Sequence, residues 1–136
     1  MIQMIYGKKG SGKTKRILDM ANSAVDEHAG SIAFIDDDNS YMFQLKNQIR
    51  FINATEYNVS NPDMFLGFIK GILASNYDLS LLFVDGFVRI VKADMGELEE
   101  FFHYLEKYAD KAGVTLVLSI SGDQADAPEY AKKYII

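Results

Sequence analysis

The sequence predicts an α/β fold, a parallel sheet with helices on both faces, on three observations. Short apolar runs alternate with helically periodic segments along the whole chain. Two of those runs, Ile32 to Ile35 and Leu81 to Val84, are apolar throughout and end in aspartate, as expected of parallel strands buried on both faces. A glycine- and lysine-rich stretch, Gly7-Lys8-Lys9-Gly10-Ser11-Gly12-Lys13-Thr14, joins the first apolar run to the first helical segment. At 136 residues and 49% hydrophobic content the chain is expected to form one domain with a single well-buried core.

Residues 2–6 form the first expected strand. The stretch that follows fits the P-loop pattern of glycine, four residues, then Gly-Lys-Ser/Thr, in strand-loop-helix context. Its glycines allow successive backbone N–H groups to turn inward on phosphate oxygens, with the phosphate on the positive end of the next helix. Lys13 would reach the terminal phosphates, and the Thr14 hydroxyl would hold Mg²⁺. The expected nucleotide-binding set is Gly7, Lys8, Lys9, Gly10, Ser11, Gly12, Lys13, Thr14 and Lys15.

From Lys13 to about His28, Ile17, Leu18, Ala21, Ala24 and Val25 share one helical face, and Gly30 stops the helix. The second strand, from Ile32 to Ile35, has the acidic tip Asp36-Asp37-Asp38-Asn39. A short helix is expected from Ser40 to about Gln48, then a third strand from Ile49 to Ala54. Asn61-Pro62 reads as a helix start, the Asn capping free N–H groups and the Pro at the first helical position. Phe65, Phe68, Ile69, Ile72 and Leu73 give that helix its buried face. The fourth strand ends at Asp85, which with the P-loop makes a Walker B arrangement whose carboxylate orients the Mg²⁺ shell. Asp94 to Glu97 has the form of a capping box before a helix with Leu98, Phe101, Phe102, Leu105, Tyr108 and Ala109 on its apolar face. Gly113 stops it, and Val114 to Ile120 form the fifth strand. Pro128 to Ile136 allow a turn of helix and a small edge strand from Lys133 to Ile136. The P-loop, the acidic tip and Asp85 are expected at the carboxyl ends of the strands, where open parallel sheets bind ligands.

Ile32 to Asn39, Leu81 to Ile90 and Glu97 to Ser121, together with the P-loop, resemble the RecA-type ATPase core of replicative hexameric helicases and related ATPases. The resemblance implies a three-layer αβα sandwich, strand order 3-2-4-5-1, ATP and Mg²⁺ as cofactors, and slow hydrolysis at a site completed between subunits. In that family a glutamate at the tip of the second strand polarises the attacking water; the matching position is Asp38, with Asp37 adjacent. A polar sensor belongs at the end of the fifth strand, where Ser119 and Ser121 stand. Arg89, just beyond the fourth strand, is the candidate for an arginine acting in trans on a neighbouring subunit. Gly86 stands where many nucleotide hydrolases carry a glutamate after the Walker B aspartate. The loop also resembles the deviant Walker motif of the MinD and ParA group, with Lys8 at the signature lysine; against this, Lys9 replaces a glycine and no second Thr follows Thr14. A non-catalytic ATP-binding module that governs assembly or partner binding is the reading from another class.

The net charge of −5 argues against intrinsic nucleic-acid binding. The expected partners are nucleotide and a second copy or another protein. No apolar run approaches the length of a membrane span, and a strand beginning at Ile2 leaves no room for a signal sequence, so a cytoplasmic location is expected. With no cysteine, disulfide and zinc-thiolate sites are excluded.

Overall fold

Five strands, all parallel, pair in the order β1-β5-β4-β2-β3. They are β1 (Ile2–Gly7), β2 (Ser31–Asp36), β3 (Ile49–Asn53), β4 (Leu79–Val84) and β5 (Thr115–Ser121). Counted from the β3 edge, the order reads 3-2-4-5-1. The computed structural model describes residues 1–136.

Helix α1 (Lys13–Glu27) alone covers one face, its Ile17, Leu18, Ala21 and Ala24 packing with Ile5, Phe34, Phe83 and Val117 of the sheet. Within that core Phe34 stacks between Phe51 and Phe83, with ring centroids 6.4 and 6.2 Å away. Helices α2 (Pro62–Ser75), α3 (Phe87–Val91) and α4 (Glu99–Ala112) cover the other. The core on that side holds 25 buried residues against 12 beneath α1, so most of the apolar burial lies there. Its centre is aromatic: Phe87 lies 5.4, 5.8 and 5.3 Å from the rings of Phe65, Phe101 and Phe102. No helix is long and apolar enough to cross a membrane.

The start of α2 follows from Asn61-Pro62 as read in the sequence. The Asn61 side chain accepts from Met64 N at 2.8 Å, and Pro62 occupies the first helical position. Asn61→Ala is therefore expected to destabilise the protein by about 1 kcal/mol, read as a lower urea midpoint with an unchanged slope.

Three expectations are corrected and one helix is added. Ser40 to Gln48 is not an α-helix; only Met42–Gln44 make a 3₁₀ turn. The Asn22 side chain on α1 donates to Gln44 O and accepts from Lys46 N, both at 2.8 Å, and so takes up the backbone groups a helix would use. The capping box does not form. Asp94 accepts from Gly96 N, Met95–Glu97 make a 3₁₀ turn that buries Met95 and Leu98 together, and α4 starts at Glu99. Helix α3 was not anticipated: its five residues are too short for a period to register, and three of them are buried. The expected edge strand from Lys133 to Ile136 shrinks to a single parallel bridge between Ile135 and Met4, after a 3₁₀ segment over Glu129–Tyr134.

Candidate functional site

The strand registers bring the chemistry to one end of the sheet. Ser121 lies opposite Gly7, and Gly122 N donates to Gly7 O at 3.0 Å, so the end of β5 abuts the start of the Gly7–Thr14 loop. Asp85 N donates to Ile35 O at 2.9 Å, which extends the β4–β2 ladder and sets Asp85 beside Asp36.

The loop needs its glycines for two reasons. Gly10 and Gly12 adopt φ of 83° and 91°, left-handed conformations closed to most side-chain-bearing residues. At Gly7 the space is tight, since a Cβ there would lie 2.3 Å from Ser11 Oγ, which would have to rotate away, and 3.1 Å from Lys13 Cγ. Lys13 reaches back across the loop, its Nζ donating to Lys8 O at 3.2 Å. Burial lowers the Lys13 pKa and Arg89 adds to that, while Asp85 opposes it.

Beyond the loop, Thr14 Oγ1 donates to Asp85 Oδ2 at 3.1 Å. Ser119 Oγ donates to Asp85 Oδ1 at 2.5 Å and accepts from Gly86 N at 2.8 Å. Asp85 and Ser119 are both buried. Thr14, Asp85 and Ser119 thus form one chain of hydrogen bonds from the first turn of α1 to the ends of β4 and β5. Around it lies a polar cleft of about 310 Å³ lined by Lys9, Gly10, Lys13, Thr14, Asp38, Ser40, Tyr41, Asp85, Arg89 and Ser121.

Other predicted residues lie apart from this cleft. Lys15 faces outward on α1 and pairs with Asp19 at 2.7 Å. Lys8 is exposed, 3.5 Å from Asp123 Oδ2. The largest cavity, about 690 Å³, runs along the flank of α1, and of the predicted site residues only Gly12 and Lys15 line it. The smaller cleft is the better candidate because the convergent polar side chains meet there.

The acidic tip divides into three environments. Asp38 is exposed, and its Oδ1 accepts from Ser40 N at 2.9 Å in a local turn. Asp37 accepts from Arg89 Nε at 3.0 Å and Nη2 at 3.4 Å. Burial works to raise the Asp37 pKa, but the hydrogen bonds from Arg89 outweigh it, the neighbouring Asp36 adds to the lowering, and the carboxyl is held below its usual range. Asp36, not assigned a role from the sequence, is 1% exposed, accepts from Asp37 N at 2.7 Å and has no partner for its buried Oδ2. Burial pushes its pKa up to about 8, with Asp37 and Asp85 adding to the effect. The signal in the sequence was position: Asp36 continues an apolar strand, whereas Asp37 and Asp38 begin the turn.

A pH dependence follows. The folded-state pKa of Asp36 is raised, so between pH 4 and 8 the unfolded chain gives up this proton before the native protein does. Its contribution to stability is then full below about pH 4, declines as pH rises and levels off above about pH 8. Asp36→Asn removes that decline. Thermal melts are expected to show no gain at pH 4 and a gain of several degrees at pH 8, on the order of 1–3 kcal/mol. The same gain at both pH values would mean that Asp36 ionises normally.

No protein-family model and no curated protein matches this chain. The functional reading therefore rests on the geometry of the cleft.

Proposed function

We propose that the protein binds MgATP in the cleft between the Gly7–Thr14 loop and the ends of β4 and β5, as a minimal RecA-like P-loop domain, and hydrolyses it slowly. The observation that carries this reading is the Thr14–Asp85 hydrogen bond, which joins residues 71 apart in sequence at 3.1 Å. It puts a hydroxyl at the start of α1 against a strand-end carboxylate, beside a lysine whose only hydrogen-bond partner is a carbonyl.

Thr14 Oγ1 and Asp85 Oδ2 are hard oxygen donors of the type Mg²⁺ takes, with room left for water and phosphate oxygens. They fit the ion. Bound there, Mg²⁺ would neutralise phosphate charge. The backbone amides from Gly10 to Thr14 would hold the phosphates and Lys13 would offset their charge. Ser119 would hold Asp85 in place, and Ser121 would border the phosphates from the end of β5.

Slow turnover is supported by how the acids are engaged. Asp38 is turned to a local backbone amide and Asp37 to Arg89. That leaves only the second oxygen of Asp38, on a side chain one methylene shorter than glutamate, to orient water. The same observation favours a second reading, a non-catalytic module in which bound ATP governs assembly with another copy or another protein. The exposed Lys8 supports a further alternative, a MinD- or ParA-like ATPase that dimerises.

Steady-state turnover across a range of protein concentrations tests the choice. The enzyme reading expects weak Mg²⁺-dependent ATPase activity that rises faster than linearly with protein concentration. Tight ATP binding without phosphate release at any concentration would sink it in favour of the module.

A further inference from the structure

Arg89, although half-exposed, is held within its own chain. It lies on α3, which begins immediately after Asp85 and Gly86, and its guanidinium folds back over the Gly86 backbone. A Cβ at Gly86 would lie 2.2 Å from Arg89 Nη2, which shows how closely the guanidinium covers this backbone, and the Gly86 φ of 72° is one that favours glycine. From there Arg89 grips Asp37, with Nε 3.0 Å from Oδ2, and stands 3.9 Å from Asp36 Oδ1.

Its surroundings give it two places to be. Asp37 lines a cavity of about 260 Å³ on one side of the arginine, while Lys13, Thr14 and Asp85 line the 310 Å³ cleft on the other. Arg89 lines both. The Arg89 side chain is 54% exposed and that of Asp37 25%, so water reaches the pair and can solvate the carboxylate if the arginine leaves.

We propose that Arg89 is the residue by which this cleft distinguishes a nucleoside triphosphate from a diphosphate, in the same chain. On this reading, which rests on nucleotide binding at the Gly7–Thr14 loop, Asp37 holds the guanidinium in the ligand-free protein. The terminal phosphate then takes it over. The planar guanidinium fork matches phosphate oxygens as well as it matches a carboxylate, and a terminal phosphate carries more negative charge than Asp37. A diphosphate ends short of this position and leaves the Arg89–Asp37 pair closed.

A pair that merely ties α3 to the tip of β2 makes different predictions, because cutting it from either end would have the same effect. The exchange makes the two ends differ in sign. Calorimetric titration with MgATP and MgADP is expected to show Arg89→Ala weakening ATP about tenfold to a hundredfold while ADP changes by no more than about twofold. Asp37→Asn, which frees the guanidinium, is expected to tighten ATP severalfold and leave ADP unchanged. Arg89→Lys keeps the charge without the fork and should fall between wild type and Arg89→Ala.

The proposal is overturned if Arg89→Ala and Asp37→Asn shift ATP affinity in the same direction, or if Arg89→Ala weakens both nucleotides alike. An ATP preference over ADP that disappears on dilution of the wild-type protein would give Arg89 to a neighbouring subunit and overturn the assignment within one chain. Wild-type protein that binds neither nucleotide would overturn the underlying reading as well. Nucleotide binding that Lys13→Ala abolishes, with an ATP-to-ADP ratio that Arg89→Ala leaves untouched, would overturn this inference alone.

Discussion

MgATP is expected to raise the melting temperature of the wild-type protein, and Lys13→Ala is expected to abolish that rise. A ligand that binds only the native state stabilises it by RT ln(1 + [L]/Kd), about 2.7 kcal/mol at a hundredfold excess over Kd. For a chain of this size that is a rise of roughly 8 to 14 °C. Lys13 should carry much of it, because its ammonium is partly desolvated and its only hydrogen-bond partner is the Lys8 carbonyl. Phosphate oxygens offer the charge that the carbonyl lacks. The substitution itself should cost little stability, since the bond it removes is an exposed one. Lys15→Ala is the matched control. Lys15 belongs to the binding set expected from the sequence, yet it points away from the cleft and pairs with Asp19, so ATP should still raise the melting temperature of that variant in full. Undiminished stabilisation in Lys13→Ala, or equal loss in both variants, would count against the phosphate site proposed for this loop.

The contrast between Lys13 and Lys15 indicates what the sequence made legible. Features fixed by neighbours along the chain could be read directly. The loop conformation depends on Gly10 and Gly12, the start of α2 on Asn61 and Pro62, and the stop of α4 on Gly113, which has φ of 70°. The all-parallel sheet could be read because strands buried on both faces must be apolar along their length. What was not legible depends on contacts between distant segments. Asn22 converts the expected helix at Ser40 to Gln48 into a 3₁₀ turn from more than twenty residues away. The partition of the acidic tip into a buried Asp36, a paired Asp37 and a solvated Asp38 is set by the β2–β4 register and by Arg89, neither of which leaves a local signature. Arg89 itself seemed free because the short helix that turns it back toward Asp37 is too brief to show a period.

That short helix is also where the core and the cleft meet, and Phe87→Ala is expected to have the largest effect on stability. Phe87 is fully buried and packs on Phe65, Phe101 and Phe102, which belong to α2 and α4. Truncating a buried phenylalanine costs about 3 to 5 kcal/mol in lost transfer free energy and residual cavity. Native domains are stable by only about 5 to 15 kcal/mol, so the variant is expected to lose a large share of its margin. Urea denaturation should show the midpoint falling sharply with little change in slope. Phe87→Leu, which retains most of the volume, should lose less than half as much. The position of Phe87 adds a second consequence. It is the first residue of α3, two residues after Asp85 and two before Arg89, so a cavity beneath it loosens the segment that aims both side chains. Hydrogen exchange should therefore quicken at Ile90 N and Lys92 N, whose bonds to Gly86 O and Val88 O hold the helix, while Arg16 N at the start of α1 keeps its protection relative to the lowered global stability. Uniform loss across all three amides would mean that Phe87 supports the core as a whole without any particular hold on α3.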